Sequence, residues 1–280
     1  MNIDRFGFNK DYDVKEDIEV IEEFILDNDK DLLFITLGGS YMHGFESPKS
    51  DKDYRVVHME YSDEFFGMNS IKGVINKEED EKVSFVSYEL GQFCNHLYKM
   101  NCNMLEQLFA ETIVYIHPMY KRKFHELRMY ILNMLSKKGM FDSYNGLIMN
   151  NYKKYIINDN HVTNKKYLYL LKNSLSLQHA LSTGKIEPNI KRILENDISL
   201  LSDSYLHNEV DVIQDLIEHK QDGASDDILT VKKDRVDSLI TKCMDLNKWY
   251  YDQSKLPEKP TDSQRDTLNE WLINFRKYPI

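Results

Sequence analysis

Apolar positions change period once along this chain. From Val14 to Asn28, the residues Val14, Ile18, Val20, Ile21, Phe24, Ile25 and Leu26 stand among Glu and Asp at helical spacing, which predicts a helix over 14–28. A continuous apolar run follows (Leu32, Leu33, Phe34, Ile35, Leu37) and stops at Gly38-Gly39-Ser40. After ten further residues Asp51-Lys52-Asp53 opens Tyr54-Arg55-Val56-Val57-His58-Met59. The two apolar runs read as a strand ending in a turn and a second strand beginning with two carboxylates. A charged connection around 77–82 leads to Val83–Ser87, whose β-branched and aromatic content predicts a third strand. From Tyr88 onward the spacing is helical almost throughout. Helices are expected near 88–99, 103–110, 118–138, 142–158, 163–183, 188–202, 208–221, 226–252 and 262–277, with Gly139, Gly184 and Gly223 as stops. This places a small α/β unit up to about residue 110 ahead of a helical domain, and one linker-like passage at 254–262.

The turn and the two carboxylates carry the chemistry. Paired glycines let backbone approach a ligand closely, and amides at a helix start suit phosphate oxygens. On a strand, residues two apart share a side, so Asp51 and Asp53 can aim at one point while Lys52 faces away. Such a pair suits a hard divalent cation such as Mg²⁺, which often shares its oxygen ligands with substrate phosphates.

Charge and cysteine usage narrow the setting. The chain has 280 residues, long enough for one large or two modest domains, and 46 acidic against 36 basic residues give a net charge of -10. That balance disfavours a broad nucleic-acid footprint but leaves room for a local basic cleft. Lys121-Arg122-Lys123, Lys137-Lys138, Lys153-Lys154 and Lys165-Lys166 are either phosphate contacts or solvated helix faces. Cys94, Cys102 and Cys243 have no paired-ligand spacing, which suits a reducing compartment. No apolar signal core and no run near the roughly 18 residues of a membrane span is seen, so a cytoplasmic protein without a membrane partner is expected.

Gly39-Ser40 followed by Asp51-x-Asp53 resembles the signature of the polymerase-beta-type nucleotidyltransferase superfamily. Gly39-Ser40-Tyr41-Met42-His43-Gly44 with Ser47-Pro48-Lys49-Ser50-Asp51-Lys52-Asp53-Tyr54-Arg55 is similar, more narrowly, to a predicted nucleotidyltransferase family with the pattern GSRxxG, SPxSDxDxR; Tyr41 stands at its arginine. Tyr88-Glu89-Leu90 with Phe93, Asn101–Phe109 with Cys102 at a proline position, and Leu256-Pro257-Glu258-Lys259-Pro260 ahead of Trp271 resemble further segments of that family. The resemblance runs from about residue 30 to 277.

The resemblance implies an α+β fold: a small mixed nucleotidyltransferase sheet flanked by helices as a catalytic domain over 1–110, then a mainly helical domain over 111–280. It implies transfer of a nucleoside monophosphate from an NTP, ATP first, to an acceptor hydroxyl, with release of pyrophosphate and help from Mg²⁺ or Mn²⁺. Asp51 and Asp53 would hold metal, and Gly39 and Ser40 the β and γ phosphates. Arg55, one alternation past Asp53, would support the carboxylates or reach a phosphate. His43 either touches substrate or packs the turn. Lys166 and Lys172 either reach the triphosphate from the helical domain or lie at the surface. Glu106 is expected to brace the domain junction; Tyr167, Tyr169, Trp249 and Tyr250 are expected in the core, or a few of them at an adenine-stacking wall between domains.

A third carboxylate, which the superfamily usually takes from the following strand, aligns with Ser84. Three arrangements fit: an offset strand lets Glu81 bind metal, two acids suffice, or the fold is a degenerate nucleotide-binding or protein-interaction module. The acceptor is left open among RNA, protein and small molecules, with an RNA end first because some relatives are associated with RNA repair.

Overall fold

The computed structural model describes residues 12–60, 73–77, 83–158, 163–196, 204–223 and 233–277. In chain order these form α1 (Lys15–Asp27), β1 (Lys30–Leu37), α2 (Gly39–His43), β2 (Tyr54–Glu60), β3 (Val74–Lys77), β4 (Phe85–Glu89), α3 (Leu90–Tyr98), α4 (Cys102–Phe109) and β5 (Ile113–Ile116). Helices follow: a 3₁₀ turn (Pro118–Tyr120), α5 (Lys121–Met134), α6 (Lys137–Tyr152), a π-helical turn (Lys153–Ile157), α7 (Asn164–Thr183), α8 (Ile190–Asn196), α9 (Ser204–Gln221), α10 (Lys233–Gln253) and α11 (Asp262–Lys277). The fold is α+β, as expected.

The strands lie in the order β3-β4-β2-β1-β5. β1 is antiparallel to β2 and β5, β3 is antiparallel to β4, and β2 runs parallel to β4. Alternation separates the two faces. One face puts Ile35, Leu37, Tyr54, Val56, Phe85 and Val114 under Ile21 and Ile25 of α1. The other, with Phe34, Val57 and Met59, joins a core that runs without a break through α3–α7 to Leu239 and Trp271. Arg55, lying between Tyr54 and Val56, therefore faces the helical layer. At the middle of that layer is α7, where nearly every side chain from Tyr167 to Leu181 is buried.

Four details depart from the sequence pattern. The edge strands β3 and β5 have four residues each, too few to display a period, and β5 extends the sheet past residue 110. β2 begins at Tyr54, so the carboxylates precede it; the Gly38 amide donates to the Asp53 carbonyl (2.7 Å) and holds that segment against the end of β1. The helix expected over 118–138 breaks at Leu135-Ser136, and the first amides of α6 dock on a distant loop: Lys137 N–H on the Pro257 carbonyl (2.9 Å), Lys138 N–H on that of Glu258 (3.3 Å). Gly139 is consequently inside α6 and stops nothing. A Cβ there would lie 2.7 Å from Met100 Cγ, so its role is close packing. Trp249, expected in the core, is 54% exposed.

The sheet also buries His58, whose Nδ1 is 2.7 Å from Ser87 Oγ. Burial, reinforced by the charge of Lys30, pushes its pKa down to about 3. The unfolded chain takes up this proton near pH 6.5, so the stabilisation is full above that value and is lost as pH falls toward 3. Urea unfolding at pH 5 should find the protein about 2 kcal/mol less stable than at pH 7 from this group, a loss that His58→Asn removes. Equal pH dependence in the two proteins would contradict it.

Candidate active site

Gly39 adopts φ +58°, the left-handed region in which residues with a Cβ are strained. The turn needs glycine for a second reason: a Cβ at Gly39 would stand 2.7 Å from Asp53 Oδ2. The Asp53 carboxylate thus lies against the first residue of α2, in space that a side chain would fill. Lys52 turns the other way and donates to Asp17 Oδ2 (3.0 Å) on α1. Asp51 and Asp53 are both exposed to solvent. The Arg55 stem covers Gly38, with Cγ 3.3 Å from where a Cβ would be, and places a cation on the Asp53 side of β2. Gly39→Ala should reduce turnover at least tenfold while the far-UV spectrum stays native, because the methyl group displaces Asp53. Unchanged turnover would show that this carboxylate needs no such seat.

The helical layer closes on this turn through α7. Tyr169 is half-buried, and burial followed by the Asp53 carboxylate pushes its pKa up to about 12, with Arg55 opposing. Its ring meets those of His43 (5.5 Å) and Phe45 (5.4 Å) edge-on. His43 is buried, and its Nδ1 donates to the Pro188 carbonyl (3.4 Å), which fixes the tautomer. Burial and then the charge of Lys172 hold its pKa well below the ordinary histidine range. A neutral, packed imidazole braces the turn from behind.

Lys172 is not a surface residue. It is 1% exposed, and its Nζ donates to Glu106 Oε1 (2.9 Å) and Oε2 (2.7 Å), while the Tyr144 hydroxyl donates to Oε1 (2.8 Å). His43 Nδ1 lies 4.0 Å from Glu106 Oε2. Glu106 therefore braces α4, α6 and α7 behind the turn. Lys166 is half-exposed on α7, its Nζ 5.6 Å from the Tyr155 ring centre.

Other positions complete the surroundings. The register of β2 with β4 pairs Tyr54 with Phe85, and Tyr54 N–H reaches the Ser84 carbonyl (3.4 Å), so Ser84, just ahead of β4, comes level with Asp53, just ahead of β2. Glu81 lies outside the described residues. Among the described residues no group of three or more His, Cys, Asp or Glu side chains converges as a metal site. The Asp53 carboxylate seated beside a glycine turn, with Asp51 two residues before it, nonetheless suits a divalent cation that takes its remaining oxygens from phosphates and water. Tyr41, at the arginine position of the pattern, packs edge-on against Tyr12 (5.9 Å). Sequence reasoning missed Lys220, a buried α9 lysine whose Nζ reaches Ser47 Oγ (3.3 Å) in the loop before Asp51. A lone lysine near the end of an apolar-striped helix was its one signal.

Among the described residues no helix is long and apolar enough to cross a membrane. Compared with known proteins, the chain is 32% identical over 102 residues to an uncharacterized protein of Methanocaldococcus jannaschii, covering 34% of this chain and 37% of that one. It is 24% identical over 167 residues to the uncharacterized protein YcgL of Bacillus subtilis, covering 60% and 63%. The chain thus matches less than two thirds of the length of either relative. A sequence profile of RlaP, described as the RNA repair pathway DNA polymerase beta family, matches residues 14–274. With that match spanning the sheet, the glycine turn and the helical layer, the chain belongs to the RNA repair pathway DNA polymerase beta family, a polymerase-beta-type nucleotidyltransferase family.

Proposed function

We propose that this protein transfers a nucleoside monophosphate from an NTP, with ATP first, to an acceptor hydroxyl. The acceptor oxygen bonds to the α-phosphorus as the bond to pyrophosphate breaks, and the hydroxyl proton passes to a neighbouring carboxylate or to solvent. The observation that carries this reading is the Asp53 carboxylate lodged against Gly39. That contact brings an anionic metal ligand to the glycine turn suited to the triphosphate.

Asp51 and Asp53 would hold the cation, Gly39 and Ser40 would cradle the outer phosphates, and Arg55 would counter charge on the transferring group. When bound, Mg²⁺ or Mn²⁺ supplies Lewis-acid stabilisation of the charge that builds on the phosphates. Neutral His43 and the pair behind it keep the turn fixed, so little reorganisation is needed during transfer. An RNA 3′ end is the first acceptor to test, on the strength of the family description; protein hydroxyls and small molecules come next.

Ser84 beside Asp53 favours a second reading, a degenerate module that binds nucleotide without turnover. Incubation with each NTP, Mg²⁺ or Mn²⁺ and a panel of acceptors, followed by pyrophosphate release, separates the two. Release that depends on acceptor and metal supports transfer. NTP binding with little metal dependence and no pyrophosphate supports the module.

A further inference from the structure

Beyond Tyr169, the helical layer carries a row of aromatic and cationic groups leading away from the carboxylates. Lys166 precedes Tyr169 by three residues on α7, so the two share one helix face. Next comes Tyr155, half-exposed, with Lys166 Nζ 5.6 Å and Lys154 Nζ 5.0 Å from its ring centre. Ile157 beside it is 63% exposed. These residues sit on the π-helical turn Lys153–Ile157, a wide turn of the kind concentrated at functional sites. Charge here runs against the whole chain: residues 151–172 hold five lysines and one acid, Asp159, although the protein carries -10. Lys172 is taken up by Glu106, and neither Lys153, Lys154 nor Lys165 pairs with a carboxylate among the described residues.

A ring flanked by two cations, next to exposed apolar surface and joined through Tyr169 to the neighbourhood of Asp53, has the chemistry of a single-strand platform. Bases of any identity stack on the ring, and successive phosphates meet the lysines. The row spans two helical elements, the π-helical turn and α7. We infer that this face binds the 3′-terminal stretch of a single-stranded RNA acceptor, with a base on Tyr155, phosphates at Lys154 and Lys166, and the terminal nucleotide passing Tyr169 toward Asp51 and Asp53. For the role of the site it feeds, this rests on the nucleotidyl-transfer reading; for the strand binding itself it does not.

The test is fluorescence anisotropy with a labelled RNA of about 12 nucleotides, without NTP or metal, at several salt concentrations. Tyr155→Ala should weaken binding roughly tenfold and Tyr155→Phe should keep it. Lys154→Glu with Lys166→Glu should weaken it further and lower the slope of log affinity against log salt by about 1.4, two contacts' worth for a single strand. A fluorescent NTP analogue should bind the Tyr155 and lysine variants as it binds the parent. RNA affinity unchanged by both the Tyr155 and lysine changes overturns the platform. So does a Tyr155→Ala defect confined to the nucleotide analogue, which would make this wall a nucleotide site. Failure of pyrophosphate release with strand binding intact would count against the transfer reading alone.

Discussion

Asp53→Ala should lower acceptor-dependent pyrophosphate release about a thousandfold, equivalent to roughly 4 kcal/mol of transition-state stabilisation. Asp53 is singled out over Asp51 because it alone is seated against Gly39, in a position that would fix a bound cation relative to the phosphates. Asp51→Ala should act in the same direction. The double variant should fall little further than Asp53→Ala, since residues that act as one unit are not additive. Both side chains are exposed, so thermal unfolding should change by no more than a few tenths of a kcal/mol. Release that persists in the double variant would remove these residues from the chemistry. Restoration by a higher Mn²⁺ concentration in a single variant would indicate that the missing oxygen ligand weakened cation binding.

Lys172→Met should destabilise the fold by about 3–5 kcal/mol, because it leaves Glu106 charged and buried without its cation, with the Tyr144 hydroxyl still donating to it. Lys172→Met with Glu106→Gln should recover half or more of that loss: the amide oxygen still accepts from Tyr144 and no unpaired charge remains. Urea midpoints at constant slope measure both. A single-variant loss below about 1 kcal/mol would mean that the pair is solvated. Because His43 of α2 packs in the same cluster, Lys172→Met should also slow turnover at a pH where the variant remains folded.

Local pattern gave a good account of the turn at Gly39, the opposed direction of Lys52 and most helices. Each depends on residues close in sequence, where backbone geometry leaves few options. The ends of the sheet were less legible. β3 and β5 are four-residue edge pieces, and a period of two cannot declare itself over that length. Gly139 looked like a helix stop because glycine usually is one; only its approach to Met100 reveals a packing role.

Lys172 and Glu106 illustrate the boundary. Each is a charge beside apolar residues, and the sequence left Lys172 as a triphosphate contact or a surface lysine; 66 residues separate the two and no local rule joins them. Tyr169 is similar: helical spacing assigned it to the core, and the approach of α7 to β2 placed it beside Asp53 and Arg55. The sequence by itself determined a glycine turn after the first strand, two carboxylates two residues apart ahead of the second and an α+β chain, since these follow from neighbours a few bonds apart. Tertiary structure decided which carboxylate meets Gly39, which lysine is buried behind the turn and which faces outward along Tyr155, because those depend on how separate elements pack.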